Sequence, residues 1–184
     1  MTFTETALKD SYLIQLKPFS DNRGIFSRLF CENEFREAGF HKKIVQINHS
    51  FTRERGAIRG LHFQKTPHCE AKIVRCIRGK AFDVIVDICK NSATFLQWYG
   101  VELSPEANNA LFIPEGFAHG FQALKNNTEL LYFHSEFYHK ESEGVLCFDD
   151  ASIDIKWKLK PKGLSEKDYY APSVRELNFK GIAL

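Results

Sequence analysis

Histidine is the side chain whose ordinary pKa lies nearest neutral pH. Two of the seven histidines stand in strand-like apolar runs framed by glycines. His62 lies in Ile58-Arg-Gly-Leu-His-Phe-Gln64, and His119 lies in Ile113-Pro-Glu-Gly-Phe-Ala-His-Gly-Phe121. Arg59, Lys72 and Tyr132 occupy similar settings. These residue types suit a polar pocket in a β-structure that binds an anion and moves protons. Each also has a plainer reading. A lone histidine in a strand is commonly a hydrogen-bonded core residue. Lys72 shares a face with Val74 and Cys76 by strand alternation; it needs water, a ligand or an ion pair, or it marks a solvated strand end. Tyr132 and Tyr138 are of a type that usually packs in β-structure, and Ser165-Glu-Lys-Asp168 reads on its own as an exposed charge cluster. Alternation puts His62 and Gly60 on one side and Arg59 and Leu61 on the other. A bulge or twist at Gly60 is what would re-aim Arg59.

A metal reading competes for the same residues. Gly56 and His62 have the spacing of barrel metal sites in which a second histidine follows, but Gln64 stands at that position. Glu70 and His119 would have to complete the set. An amide oxygen is a poorer ligand than imidazole for transition ions, so no metal and no other cofactor is expected there.

The rest of the chain must position these groups. Its 184 residues suffice for one domain with a full core. The 43% hydrophobic and 26% charged residues are an ordinary globular balance, and the net charge of +2 gives no global case for nucleic acid. The seventeen Phe are expected mostly in the core. Five cysteines without a C-x-x-C pair indicate neither a disulfide framework nor a zinc knuckle, and free thiols fit a reducing cytoplasm. No signal-peptide pattern is seen at the start, and no apolar run approaches the ~18 residues of a membrane span. Short apolar runs recur at 12–16, 25–30, 44–51, 58–63, 72–77, 81–88, 97–103, 110–113, 119–124 and 129–134, separated by turn signals such as Asp21-Asn-Arg-Gly24 and Lys125-Asn-Asn127. Many short strands at this spacing predict an all-β sandwich or barrel. Residues 32–39 read as a short helix ending at Gly39, and Pro161-Lys-Gly163 opens a polar tail expected to pack back over the barrel.

Taken in order, several motifs resemble the dTDP-4-dehydrorhamnose 3,5-epimerase family, whose members act on nucleotide-linked 4-keto-6-deoxy sugars. They are Asp21-Asn-Arg-Gly24, Val45-Gln-Ile-Asn-His-Ser50, Ile58–Gln64, Lys72-Ile-Val-Arg75, Phe82-Asp-Val84, Ile113–Phe121, Tyr132 and Leu164-Ser-Glu-Lys-Asp168. The resemblance covers about residues 18–172. It implies a single domain over 1–184, a cupin-type jelly-roll β-barrel with a few short helices and no metal. It also implies a homodimer in which N-terminal strands within about residues 1–30 are exchanged. It assigns His62 as base, Asp168 as its orienting partner, Lys72 as the cation near the developing enolate and Tyr132 as the acid on the opposite sugar face. Arg23, Arg59 and His119 match diphosphate or sugar contacts. Gln46, Asn48, Tyr138, Glu143 and Lys167 fall at further matched substrate-binding positions.

Two departures concern the nucleotide. Arg28 and Ile47 stand where the family often has Glu and Asp. Arginine only donates hydrogen bonds, which suits cytosine better than the N–H of thymine. A mono-epimerase acting on a CDP-linked 4-keto sugar is therefore an alternative to the dTDP-linked 3,5-epimerase. A ketoisomerase shares the barrel but not the set of Lys72, Tyr132 and Asp168, and a non-catalytic sugar-nucleotide-binding barrel is the reading of another class.

Overall fold

The computed structural model describes residues 1–184. Two antiparallel sheets face each other. The six-stranded sheet has the order β1 (Thr2–Glu5), β2 (Tyr12–Gln15), β10 (Asn109–Ile113), β7 (Lys72–Arg78), β12 (Thr128–His134) and β5 (Gln46–Thr52). The five-stranded sheet runs β13 (Glu143–Val145), β6 (Ile58–Gln64), β11 (Phe117–Ala123), β8 (Ala81–Asp87) and β9 (Trp98–Leu103). A separate hairpin joins β3 (Phe19–Asp21) to β4 (Gly24–Phe26). The helices are α1 (Glu32–Glu37) and α2 (Glu166–Tyr169). This is the expected all-β barrel of cupin type.

Alternation along the strands sorts the apolar residues into three packed layers. Between the sheets lie Val74, Cys76, Ile85, Leu111, Phe121 and Leu130. Outside the six-stranded sheet, Ile14, Ile73, Phe112 and Phe133 pack under Phe35 of α1, whose ring also meets Phe3 and Phe30. Outside the five-stranded sheet, Leu61, Phe63, Val84 and Ala118 are covered by the C-terminal segment through Trp157, Phe179 and Ile182. That segment does return over the barrel. Lys162 bridges to Ala57, Ile182 bridges to Cys89, and the buried Gln122 donates to Leu159 O at 2.9 Å. The aromatic-core expectation fails at Phe19, Phe26, Phe51 and Phe137, which are exposed.

Gly60 bends β6 where chemistry needs it. Its φ of +133° is costly for any residue with a Cβ, and a Cβ there would lie 2.5 Å from Gly120 Cα. The two antiparallel neighbours approach closely at this glycine pair. The register shifts from His119↔His62 to Phe121↔Arg59, so β6 holds one residue more than β11. Arg59 is thereby turned to the same side as His62, as a bulge at Gly60 requires.

Candidate active site

The space between the sheets opens into a cavity of about 760 Å³. Strand β6 supplies Arg59 and His62, and β11 supplies His119. The opposite wall carries Lys72 from β7, Tyr132 and His134 from β12, and Asn48 and Ser50 from β5. Lys167 and Asp168 close one side.

His62 Nε2 donates to Asp168 Oδ1 at 2.6 Å. With that nitrogen protonated, the ring's lone pair is at Nδ1. Asp168 is only 2% exposed. Burial opposes its ionisation, but the bond and charge of His62, the Ser165 hydroxyl and the Gly60 N–H outweigh burial and hold its pKa below the usual value. Ser165 caps α2 by accepting from Asp168 N at 3.1 Å, which fixes the carboxylate's approach. The exposed-cluster reading of residues 165–168 therefore fails at Asp168. The Ser-x-x-Asp spacing is a helix-start signal that would have shown the cap.

Lys72 is not a solvated strand end. It is 8% exposed, and its Nζ lies 2.9 Å from Glu70 Oε1. The other Glu70 oxygen accepts from His134 Nδ1 at 2.6 Å, and His134 Nε2 accepts from Asn48 Nδ2 at 3.3 Å. Burial would raise the pKa of Glu70, but His134 and Lys72 together pull it below its ordinary value. His134 was not foreseen as a site residue, and Glu70 was weighed only as a metal ligand. The signals were available: His134 shares the strand parity of Tyr132, and Glu70 lies two residues before Lys72.

Tyr132 Oη is 3.1 Å from Ser50 Oγ. Its ring stacks beside His134 and meets His119 edge-on, each at a centroid distance of 6.1 Å. Burial pushes the phenol's pKa far above its ordinary value, so it stays protonated and able to give a proton. His119 Nε2 donates to the fully buried Asp83 at 2.8 Å. Arg59 is held by Thr52 Oγ1 and Phe51 O, both at 3.1 Å. The residues weighed as metal ligands go to separate partners. His62 is bound to Asp168, His119 to Asp83 and Glu70 to Lys72, while Gln64 donates to the carbonyls of His68 and Phe137.

Not every expected contact residue lines the cavity. Gln46, Tyr138 and Glu143 form a rim that leads to Lys167. Gln46 accepts from Tyr138 N at 3.2 Å, Tyr138 Oη donates to Glu143 at 3.3 Å, and Glu143 pairs with Lys167. Arg23 lies on the β3–β4 hairpin, paired with Asp21 at 2.6 Å. Arg28 donates to Glu34 at 2.8 Å on the outer side of the barrel, and the Ile47 side chain faces solvent. The arginine expected to read a base is thus engaged within its own chain and does not line the cavity.

Residues 5–176 match the family described as dTDP-4-dehydrorhamnose 3,5-epimerase. The chain belongs to that family. A protein of that name from Shigella flexneri is 43% identical over 169 residues, spanning 91% of this chain and 93% of its own. The crystal structure of dTDP-4-dehydrorhamnose 3,5-epimerase from Elizabethkingia anophelis superposes with a TM-score of 0.91 at 42% identity, covering 97% of this chain and 99% of that one. A dTDP-6-deoxy-D-glucose-3,5-epimerase from Legionella pneumophila, solved with dTDP-4-keto-L-rhamnose, gives a TM-score of 0.93 at 34% identity over 100% and 98% of the two chains. Membership makes the protein an epimerase, which is an isomerase. No helix is long and apolar enough to cross a membrane.

Proposed function

We propose that the chain inverts C3 and C5 of a dTDP-linked 4-keto-6-deoxyhexose without a cofactor, using His62 as base and Tyr132 as acid. The observation that carries this is the placement of the two on facing sheets, so that a sugar between them meets a base on one face and an acid on the other. The C4 ketone acidifies the hydrogens at C3 and C5. His62 Nδ1 takes one as a proton, and the electron pair moves onto O4 as an enolate beside Lys72. Tyr132 gives its phenolic proton to the same carbon from the other side. His62 then loses its proton to water and Tyr132 regains one, so each inverted carbon carries a hydrogen from solvent. Asp168 orients His62 and steadies its imidazolium. Glu70 and His134 position Lys72. Arg59, His119 and Lys167 serve the sugar and diphosphate, with Asn48 and the rim of Gln46, Tyr138 and Glu143 at the edges.

The dTDP-linked substrate follows the relatives, and the pairing of Arg28 with Glu34 supports it by engaging the arginine away from this chain's own cavity. Incubation with the dTDP- and CDP-linked 4-keto-6-deoxyglucoses, followed by hydride reduction and sugar analysis, tests it. L-configured products from the dTDP compound are expected; conversion of the CDP compound alone contradicts the reading.

A homodimer in the cytoplasm completes the reading. The β3–β4 hairpin exposes Phe19, Ile25 and Phe26, and the edge strand β5 exposes Ile47 and Phe51. A partner's hairpin seated on that edge would cover apolar surface and carry Arg23 to the neighbouring cavity. Five unpaired cysteines suit a reducing compartment. Sedimentation velocity should give the mass of two chains; a monomer at micromolar concentration contradicts the exchange.

A further inference from the structure

Two histidines from connections far apart in sequence meet outside the cavity. His68 follows β6 and His139 follows β12. Their ring centroids are 3.5 Å apart, and their planes lie 16° from parallel. A carboxylate oxygen of Glu136 lies 3.9 Å from His139 Nε2. One donor atom from each of the three residues lies within 4.8 Å of the other two. One buried side chain fixes the backbone at His68, at His139 and at Phe137 beside Glu136. Gln64 donates to His68 O at 3.1 Å and to Phe137 O at 3.0 Å, and it accepts from His139 N at 2.6 Å. The three donor side chains themselves are only partly buried.

We propose that His68, Glu136 and His139 bind a divalent transition ion, zinc foremost. Two imidazoles and one carboxylate suit zinc, nickel, cobalt and copper, whereas magnesium and calcium prefer all-oxygen sites. Zinc bonds of about 2.0–2.1 Å put tetrahedral donors roughly 3.3 Å apart. Binding asks the three partly buried side chains to rotate from a spread within 4.8 Å toward that value. Water takes the fourth position. None of the three residues lines the cavity, so the ion has no part in proton transfer. It clips the β6–β7 connection, which carries Glu70 behind Lys72, to the segment that carries Tyr138. Its consequence is stability of that corner of the barrel.

The test uses the full chain, stripped with EDTA and desalted, titrated with zinc alone by calorimetry and followed by thermal unfolding. One zinc per chain at micromolar Kd is expected, and saturating zinc should raise the Tm by on the order of 5 °C. Magnesium should do neither. His68→Ala and His139→Ala should each weaken zinc binding roughly tenfold or more while leaving the zinc-free Tm near that of the parent. Turnover should be the same in EDTA and in zinc. The proposal is overturned by absence of saturable zinc binding. It is equally overturned by zinc binding that persists in the His68→Ala/His139→Ala double variant, which would place the ion on the cysteines or on His62. Turnover lost in EDTA and restored by zinc would also refute it, because the ion would then be catalytic.

Discussion

Replacing His62 by alanine should stop hydrogen exchange at both C3 and C5 of the 4-keto sugar, with a fall in rate of roughly 10²–10⁴. His62 lines the cavity with its Nε2 held by a buried carboxylate, and its side chain is 35% exposed. His119 is spent on Asp83, and His134 uses both nitrogens on Glu70 and Asn48. The His119 side chain, which also lines the cavity, is only 6% exposed. The substitution also strands Asp168, which keeps Ser165 and Gly60 as partners but loses the group that most favours its ionised form. Some loss of stability accompanies the loss of activity, so exchange is measured below the variant's Tm. His62→Asn, which keeps a donor to Asp168, should be as inactive and better folded. Exchange at the parent rate in either variant would remove His62 as the base.

Tyr132→Phe separates the two halves of the reaction. The base and the Lys72 cation remain, so a proton still leaves carbon and can return from the His62 side with retention. Net inversion should fall by roughly 10²-fold or more while exchange of the C–H hydrogens outlasts it. The ring keeps its packing against His119 and His134, and only one hydroxyl bonded to Ser50 is lost, so the fold should tolerate the change. Proton NMR of one sample in D2O reads both rates. If inversion and exchange both keep the parent rate, the tyrosine is a packing residue and the acid lies elsewhere.

The strands that enclose the site could be read from sequence because their alternation is regular. Runs over 58–63, 72–77, 81–88 and 129–134 became β6, β7, β8 and β12 with small shifts at their ends. Elements with little apolar pattern were missed. Strand β1 is Thr-Phe-Thr-Glu, and β13 is three residues paired to β6. The run over 25–30 became a strand only at Gly24–Phe26, because Leu29 and Phe30 turn inward onto the Phe35 layer. Within the site, alternation located Lys72 and Tyr132 but said nothing of who answers their charge or hydroxyl. Such partners come from long-range register. Pairing His134 with Lys72 across β12 and β7 is what brings a histidine to the glutamate beside the lysine. A local pattern cannot encode that, whereas the Gly60 bulge, a local backbone event, was foreseeable.

Incubation of the wild-type protein with dTDP-4-keto-6-deoxyglucose in D2O, followed by proton NMR, bears most directly on two-faced proton transfer. The signals at C3 and C5 should both vanish, and the L-configured product should carry deuterium at both centres. Product that retains protium at either inverted carbon, or a substrate whose spectrum never changes, would contradict it.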